Sequence, residues 1–356
     1  MSDGSAPGAG SWTRAAYYRK ENPGAQVAGT GHGSYGFNKT MSAQQGRRVR
    51  DVIPMAGLLL LCFFWSLDSL REEFAPSAAL RLPPFAREAM NLGLLSAVAA
   101  LFATIRRAAW PRGRQIWDCL LIGLGLFVAP AALGALSDST VPELTRVALY
   151  SLTPVFAVAF EPYLGRLTES QSKGGLLAAL GCVIGTLGLF PLWTPQTLDA
   201  AGGFLAIILA VVCIAAANCW AVRFVSDLPR RSASTVAAIA GGSSAAVFAV
   251  ASVFTERVQW DAAVQRTELA WSAAVELPAL LLLFWLMRRM SAVRMTTRFV
   301  VAPLIVNVAG LILLRPSLSL RSGLGLLLII ISAGWLLIAR EDESEMGALP
   351  LNLDRS

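Results

Sequence analysis

Long apolar segments separated by short polar clusters are the feature that most constrains this chain. Most of them reach the roughly 17–25 residues that a helix needs to cross the hydrocarbon core of a bilayer. Because that core contains no water, the backbone N–H and C=O groups of each segment must bond to one another, as they do within a helix. The sequence therefore predicts an all-α integral membrane protein with ten transmembrane helices, at about 52–70, 86–105, 116–135, 142–163, 173–193, 202–224, 233–254, 267–287, 296–314 and 322–339.

The composition agrees with a chain that lies in lipid. Of the 356 residues, 55% are hydrophobic and 15% are charged, whereas about 25% are charged in an ordinary soluble domain. The net charge is +7, but Lys and Arg flank the apolar segments instead of forming a basic stripe interleaved with aromatic residues. Nucleic-acid binding is therefore not expected.

The basic residues also predict an orientation. With the N-terminus placed inside, the inner loops hold thirteen Lys and Arg residues, Arg298 counted among them, and the outer loops and helix ends hold eight. Basic loop residues are enriched on the cytoplasmic side of membrane proteins. Both termini are therefore predicted to be cytoplasmic, in a protein integral to the plasma (inner) membrane.

Two polar tails enclose the apolar region. Residues 1–50 are rich in Gly, Ser, Ala and Gln and cannot bury enough apolar surface to offset the entropy lost on ordering. A disordered cytoplasmic tail is predicted there, and a second cytoplasmic tail at 340–356. The apolar region between them divides into five-helix segments at 51–194 and 195–339.

An internal repeat supports this division. Residues 151–189 align with residues 300–338 at a constant offset of 149, without a gap. Matched Pro and Gly carry more weight than matched apolar residues, because Pro marks a helix kink and Gly allows two helices to approach closely. The matches include Pro154 with Pro303, Arg166 with Arg315, Gly174 with Gly323 and Gly185 with Gly334, and a looser pair upstream is Trp65 with Trp220.

An odd number of spans in each half requires the halves to have opposite orientations in the membrane. The sequence thus predicts two inverted five-helix repeats. Such repeats are typical of secondary transporters, which bind substrate near the bilayer midplane between the halves.

Part of the repeat resembles a known family, the EamA-type members of the drug/metabolite transporter (DMT) superfamily. The tract from Pro154-Val155-Phe156 to Leu164-Gly165-Arg166-Leu167-Thr168, with Gln171 and Gly174, is similar to the family stretch P-x-F … L-G-E-x-L-T-x-x-Q-x-x-G. Pro303 through Gly323 resembles the same stretch in the second half, and Trp65-Ser66 resembles the family's Trp-Gly in helix one.

The resemblance covers the chain except for its two tails. It implies ten helices, cytoplasmic termini, and export or exchange of a small organic metabolite driven by an ion or solute gradient. The chain departs from the family at the glutamate that follows Leu-Gly, where Arg166 stands in the first half and Arg315-Pro316 in the second.

Charged residues within apolar segments are functional candidates, because placing a charge in the bilayer costs roughly 2.5–3.5 kcal/mol on insertion scales. Glu276 lies near the middle of the eighth span, two residues before Pro278. Desolvation favours the protonated carboxyl, which suits a group that binds and releases a proton during transport. A neutral hydrogen-bonded acid, or one facing a water-filled vestibule, is the alternative.

Two further charged residues lie toward the outer ends of predicted spans. Asp68 either contacts substrate or pairs with Arg71 at the headgroup level. Arg146 either binds a substrate carboxylate or extends to the surface of the membrane.

Aromatic and amide side chains complete the candidate set. Trp65 and Trp220 either face a central cavity and stack on substrate, or anchor helices at the interface. Tyr150, Asn218 and Asn307 either hydrogen-bond to substrate or link neighbouring helices.

These features favour a secondary transporter of an amino acid, a nucleobase or a drug-like solute, coupled to protons through Glu276. The five cysteines form no CxxC pair and the single histidine, His32, lies in the N-terminal tail, so no metal, cofactor or enzyme activity is predicted. The alternative is a non-transporting or lipid-handling scaffold that retains the fold, which the missing glutamates favour. The residues leave open whether the protein forms a homodimer.

Overall fold

The structure is a computed structural model that describes residues 35–74, 82–164, 173–189, 194–229, 232–256, 261–314 and 320–338. The chain divides into two units, Met1–Arg48 and Val49–Ser356. In the first unit, residues 35–48 are helical. The second unit contains all of the apolar helices.

Every regular element in the described residues is a helix. We number them α1, Tyr35–Phe74; α2, Pro84–Ile105; α3, Arg114–Ala135; α4, Glu143–Leu164; α5, Lys173–Leu189; α6, Leu198–Asp227; α7, Ala233–Thr255; α8, Ala262–Leu286; α9, made of Ala292–Thr296 and Arg298–Leu314; and α10, Leu320–Ile338.

Among the described residues, nine helices are long and apolar enough to cross a bilayer, and α5 is the exception. Its apolar part is Gly175–Leu189, and the rest of the predicted span, 190–193, lies outside the described residues. Large apolar side chains cover the outer surface, including Leu205, Leu209 and Val253, which are 66%, 50% and 78% exposed. An all-helical chain with apolar side chains facing outward on this scale is a polytopic membrane protein.

Helix α1 begins earlier than the sequence predicts. Residues 35–50 are helical, although the composition of 1–50 predicts a tail without regular structure. Met, Ala, Gln and Arg are good helix formers, and a helix that is already nucleated extends at little cost. The remainder of the predicted tail, and the C-terminal tail at 340–356, lie outside the described residues.

The helices repeat along the chain. Helices α2, α3 and α4 begin at Pro84, Arg114 and Glu143. Helices α7, α8 and α9 begin 149, 148 and 149 residues later. The offset read from the sequence therefore extends to the start of each element.

A local irregularity is repeated at an offset of 148 residues. Helix α3 contains a π-helical turn at Leu124–Val128 and α8 contains one at Ser272–Glu276. Each turn is followed two residues later by a proline, Pro130 or Pro278. Proline lacks an N–H and its ring clashes with the carbonyl four residues before it, so a wider turn at that point relieves the clash.

Equivalent helices of the two halves pack against each other and run antiparallel. In the α2–α7 pair, the rings of Phe85 and Phe248 stack at 6.0 Å between centroids. Further along α2, the Ser96 hydroxyl donates to the Ala238 carbonyl over 2.8 Å. Residues nearer the C-terminal end of α2 thus contact residues nearer the N-terminal end of α7, so the two helices are antiparallel.

The α5–α10 pair is also antiparallel and depends on glycine. A Cβ on Gly185 would lie 2.7 Å from Ile329 Cγ1 and 2.9 Å from the Gly325 carbonyl oxygen. Gly188 faces Gly325, and Gly181 faces Ser332 nearer the other end of α10. Gly181, Gly185 and Gly188 thus allow α5 and α10 to approach each other closely.

We expect Gly185→Ala to destabilise the protein by about 1–3 kcal/mol, because the added methyl group overlaps backbone atoms of α10 that cannot move aside cheaply. The measurement is thermal unfolding of the purified protein in detergent. Gly202→Ala is the matched control, since a Cβ at this helical position meets nothing within 4 Å. Equal stability of the two variants would contradict the close packing of α5 on α10.

Candidate functional site

Arg298 is buried inside the helix bundle. The sequence predicts the ninth span from residue 296 and counts Arg298 with the cytoplasmic loops, but α9 begins at Ala292. The arginine therefore lies nearly two turns inside the helix and is 2% exposed. Its assignment to a loop is wrong, because an arginine near the start of an apolar run does not by itself mark a loop.

The Arg298 guanidinium is bound by neutral groups. Its Nη1 atom donates to Asn218 Oδ1 over 2.9 Å and to the Met295 carbonyl over 3.0 Å. Asn218 is fully buried in α6 and is fixed by its own bond from Nδ2 to the Ile214 carbonyl, 2.7 Å. The Nε atom of Arg298 is buried and has no hydrogen-bond partner.

Aromatic rings surround the guanidinium. Its central carbon lies 5.1 Å from the ring centroid of Trp65 in α1 and 4.7 Å from that of Phe299. The Tyr150 ring of α4 stacks on the Phe299 ring, with 6.4 Å between the ring centroids. We call Trp65, Tyr150, Asn218, Arg298 and Phe299 the Arg298 cluster.

Two rings of this cluster are equivalent positions of the repeat. Tyr150 and Phe299 are separated by the repeat offset of 149, and they stack with an interplanar angle of 19°. A contact between equivalent residues lies where the two halves meet. The Arg298 cluster is therefore placed between the halves.

A narrow cavity adjoins the cluster. It has a volume of about 10 Å³, close to the space of one water molecule. Phe299 forms part of its wall, so the same ring contacts both the cavity and the guanidinium. Polar groups from three helices reach the wall, namely Ser151 of α4, Thr186 of α5 and Asn307 of α9.

A second polar region joins α1 to α8. The side chains of Glu276 and Asp68 are hydrogen-bonded to each other, and Arg87 and Glu88 of α2 are the other charged groups that act on Glu276. Asp68 Oδ1 also accepts a hydrogen bond of 3.0 Å from Trp271 Nε1. Two carboxyls share a hydrogen bond only when one of them carries a proton.

An ion pair lies beside these carboxyls. Arg71 donates to both oxygens of Glu268, over 2.6 Å and 3.1 Å, and its guanidinium lies 4.7 Å from the Trp271 ring centroid. Glu268 is 1% exposed. We call Asp68, Arg71, Glu268, Trp271 and Glu276 the carboxyl cluster.

Comparisons with known proteins bear on the fold alone. No family model and no curated protein matches the chain. A solved structure described as "Crystal structure of protein" is similar, with a TM-score of 0.64 and 17% sequence identity, over 82% of this chain and 99% of the other.

The structure thus divides the predicted site residues into groups. Trp65, Tyr150 and Asn218 meet around Arg298, and Asn307 lines the adjoining cavity, where its Nδ2 atom also bonds to the Pro303 carbonyl. Asp68 and Glu276 meet in the carboxyl cluster. Asn218 acts as a link between helices, which was one of the two roles considered for it.

Arg146 and Trp220 belong to neither cluster, although the charges of Arg146 and Asp138 act on Tyr150 one turn further along α4. Arg146 forms an ion pair with Asp138, whose side chain is 60% exposed. Trp220 is 37% exposed and shares the outer face of α6 with Leu205 and Leu209. Trp65 and Trp220 therefore do not face one another across a shared cavity in this structure.

Five residues of the two clusters were not among the predicted site residues: Arg71, Glu268, Trp271, Arg298 and Phe299. The charges of Arg298 and Glu268 lie just inside predicted spans that begin at 296 and 267, where a charged residue usually marks the end of a span. Nothing in the sequence therefore distinguished them from charges at the membrane surface. Among the described residues, no group of three or more His, Cys, Asp or Glu side chains could hold a metal ion.

We expect strong coupling between Arg71 and Glu268, since a desolvated, doubly hydrogen-bonded ion pair is weakly screened. A double-mutant cycle with Arg71→Met and Glu268→Gln should give a coupling free energy of about 1–3 kcal/mol in detergent unfolding. The same cycle on Arg146 and Asp138 should give less than about 1 kcal/mol, as is usual for exposed pairs. Similar coupling free energies for the two pairs would show that burial does not strengthen the interaction between Arg71 and Glu268.

Proposed function

We propose that this protein is a secondary transporter of the drug/metabolite transporter type, with ten transmembrane helices arranged as two inverted five-helix repeats. The antiparallel packing of α2 on α7 and of α5 on α10 supports the inverted arrangement. Equivalent helices of a parallel repeat would run in the same direction, whereas these run in opposite directions. Helix α5, with the residues that follow Leu189, would supply the tenth span.

The observation that carries the proposal is the buried Arg298 cluster between the two halves. A cation that is 2% exposed in an apolar bundle is expensive to maintain, and such groups in membrane helices mark substrate or ion pathways. The cluster draws on helices of both halves, α1 and α4 from the first and α6 and α9 from the second. Substrate sites of inverted-repeat transporters lie at that location.

The small cavity beside the cluster corresponds to a closed state of such a transporter. Tyr150 and Phe299 stack where the halves meet, so a relative tilt of the halves would separate the rings and enlarge the cavity. Polar groups at Ser151, Thr186 and Asn307 would then be available to a solute. This is the rocking motion expected of two inverted repeats around a central site.

The carboxyl cluster is the proposed site of proton coupling. Asp68 belongs to the first half and Glu276 to the second, and their hydrogen bond requires a proton. When both carboxyls are ionised, they repel each other, so proton release would favour separation of α1 from α8. Arg87 and Glu88 act on the same carboxyl from α2 and add one charge of each sign.

The proposed topology places both termini in the cytoplasm and the protein in the plasma membrane. The carboxyl cluster then lies toward the outer side, where α1 ends and α8 begins. A small organic metabolite would be exported or exchanged against protons entering through this cluster. The motif residues 165–172, with Arg166 in the place of the family glutamate, lie outside the described part of the chain.

The test is uptake of a mixed metabolite pool into proteoliposomes, with and without an imposed pH gradient, followed by mass spectrometry of the contents. We expect gradient-dependent accumulation by the wild type. Glu276→Gln should abolish the effect of the gradient, because the amide cannot exchange a proton, while gradient-independent exchange of the same solute persists.

Glu143→Gln is the matched control, since Glu143 is an exposed carboxylate in the first turn of α4. It should leave the response to the gradient unchanged. Accumulation that responds to the gradient equally in Glu276→Gln would overturn proton coupling through this carboxyl. If folded wild-type protein moves no solute at all, the transporter proposal fails in favour of a non-transporting or lipid-handling scaffold with this fold.

A further inference from the structure

We propose that Arg298 is the anchor for an anionic group of the substrate, and that the substrate is a small organic monocarboxylate with an apolar or aromatic body and no ammonium group. The inference rests on the proposed function, because it assigns the ligand class of the site between the two halves.

The first support is an uncompensated charge. Within the described part of the chain, both hydrogen-bond acceptors of Arg298 are neutral, Asn218 Oδ1 and the Met295 carbonyl. Cation–π contacts with Trp65 and Phe299 supply only partial compensation. Buried charges in proteins are normally paired with an opposite charge, so the site lacks one negative charge that a bound anion would supply.

The second support is a set of unused donors. A guanidinium has five N–H donors, arranged so that two adjacent ones match the oxygens of a carboxylate. Both hydrogen bonds of Arg298 come from Nη1, and Nε is buried without a partner. The edge formed by Nε and Nη2 is therefore available for a bidentate contact with a carboxylate.

Access to this edge is controlled by an aromatic ring. Phe299 contacts the guanidinium and also lines the cavity. The ring is held by its stack on Tyr150, so separation of α4 from α9 would release it. The guanidinium is thus covered in the closed state, and its exposure follows from the same motion that opens the cavity.

The neighbours of the guanidinium restrict the ligand further. One buried cation balances one negative charge, which fits a carboxylate better than a phosphate carrying about −1.5 to −2. An α-amino acid would also need an acceptor for its ammonium group. Arg298 has no carboxylate partner in the described residues, and the carboxylate that acts on Tyr150, Asp138, is already paired with Arg146. Three aromatic rings offer stacking surfaces instead.

A purely structural arginine would behave differently from a ligand anchor. Replacing a buried, uncompensated cation by a residue of similar length and no charge removes a desolvation cost. We therefore expect Arg298→Met to unfold at the same or a higher temperature than the wild type in detergent without ligand. A large loss of stability in Arg298→Met would mean that the arginine holds the helices together, and it would count against the proposal.

The main experiment measures binding of four probes that share a phenyl ring to the purified wild-type protein, by thermal shift and by quenching of tryptophan fluorescence. The probes are 3-phenylpropionate, 3-phenylpropanamide, phenylalanine and phenyl phosphate. The carboxylate should bind at least about tenfold more tightly than its neutral amide, as expected for a charge-assisted hydrogen bond. It should also bind more tightly than phenylalanine and phenyl phosphate.

Two variants test whether the preference for the carboxylate over the amide depends on Arg298. Arg298→Met should bind the carboxylate and the amide equally, and Arg298→Lys should recover part of the difference, since lysine keeps the charge but not the bidentate geometry. Arg146→Met is the control, because Arg146 already pairs with Asp138, and it should retain the full preference. Equal binding of carboxylate and amide by the wild type, or tighter binding of phenylalanine or phenyl phosphate, would overturn the proposal without any need for a variant.

Measurements of binding and of transport distinguish failure of the anion-site proposal from failure of the transporter proposal. Carboxylate binding through Arg298 without transport in proteoliposomes would refute the transporter and leave the anion site standing. Transport of neutral or cationic solutes that is unaffected in Arg298→Met would refute the anion site and leave the transporter standing.

Discussion

Exclusion of water from the bilayer interior is the constraint on which the rest of this structure depends. It requires each backbone group to be bonded within its own helix, and it makes each buried charge costly unless a partner compensates it. The first requirement explains why the described residues form helices and short connections. The second explains why two of the three buried charged side chains in the described residues, Arg298 and Glu268, lie in the Arg298 cluster and the carboxyl cluster; the third, Glu161, lies in α4.

The two clusters meet the cost of charge in different ways. In the carboxyl cluster, Arg71 neutralises Glu268 directly, while Asp68 and Glu276 share a hydrogen bond that a proton makes possible. In the Arg298 cluster the compensation consists of neutral acceptors and ring faces. With one proton on the Asp68–Glu276 pair, the carboxyl cluster keeps one negative charge that a second proton can neutralise, whereas the Arg298 cluster holds a positive charge suited to an anionic ligand. This contrast underlies the division between the proposed coupling site and the proposed substrate site.

Much of the fold could be predicted from the sequence, because hydrophobic length and the repeat of Pro and Gly act locally. The π-helical turns before Pro130 and Pro278, and the tight crossing at Gly185, follow from residues whose backbone needs are fixed by their own chemistry. The predicted start of α9 is four residues too late. Arg298 was counted with a loop because a charge beside an apolar run is ambiguous without the contacts that place it inside the bundle. Ten spans were predicted and nine are of membrane length in the described residues.

The sequence by itself determined that this chain is a helical membrane protein and predicted two related halves, since those properties depend on the length of apolar runs and on spacing along the chain. It also identified five of the ten residues that form the two clusters. Only the tertiary structure decided which of them meet. Trp65, Tyr150, Asn218 and Arg298 are far apart in sequence, and they come together because antiparallel packing of the halves brings α1, α4, α6 and α9 to one point. Whether a buried arginine has an acidic partner is a property of that packing, and no pattern along the chain contains it.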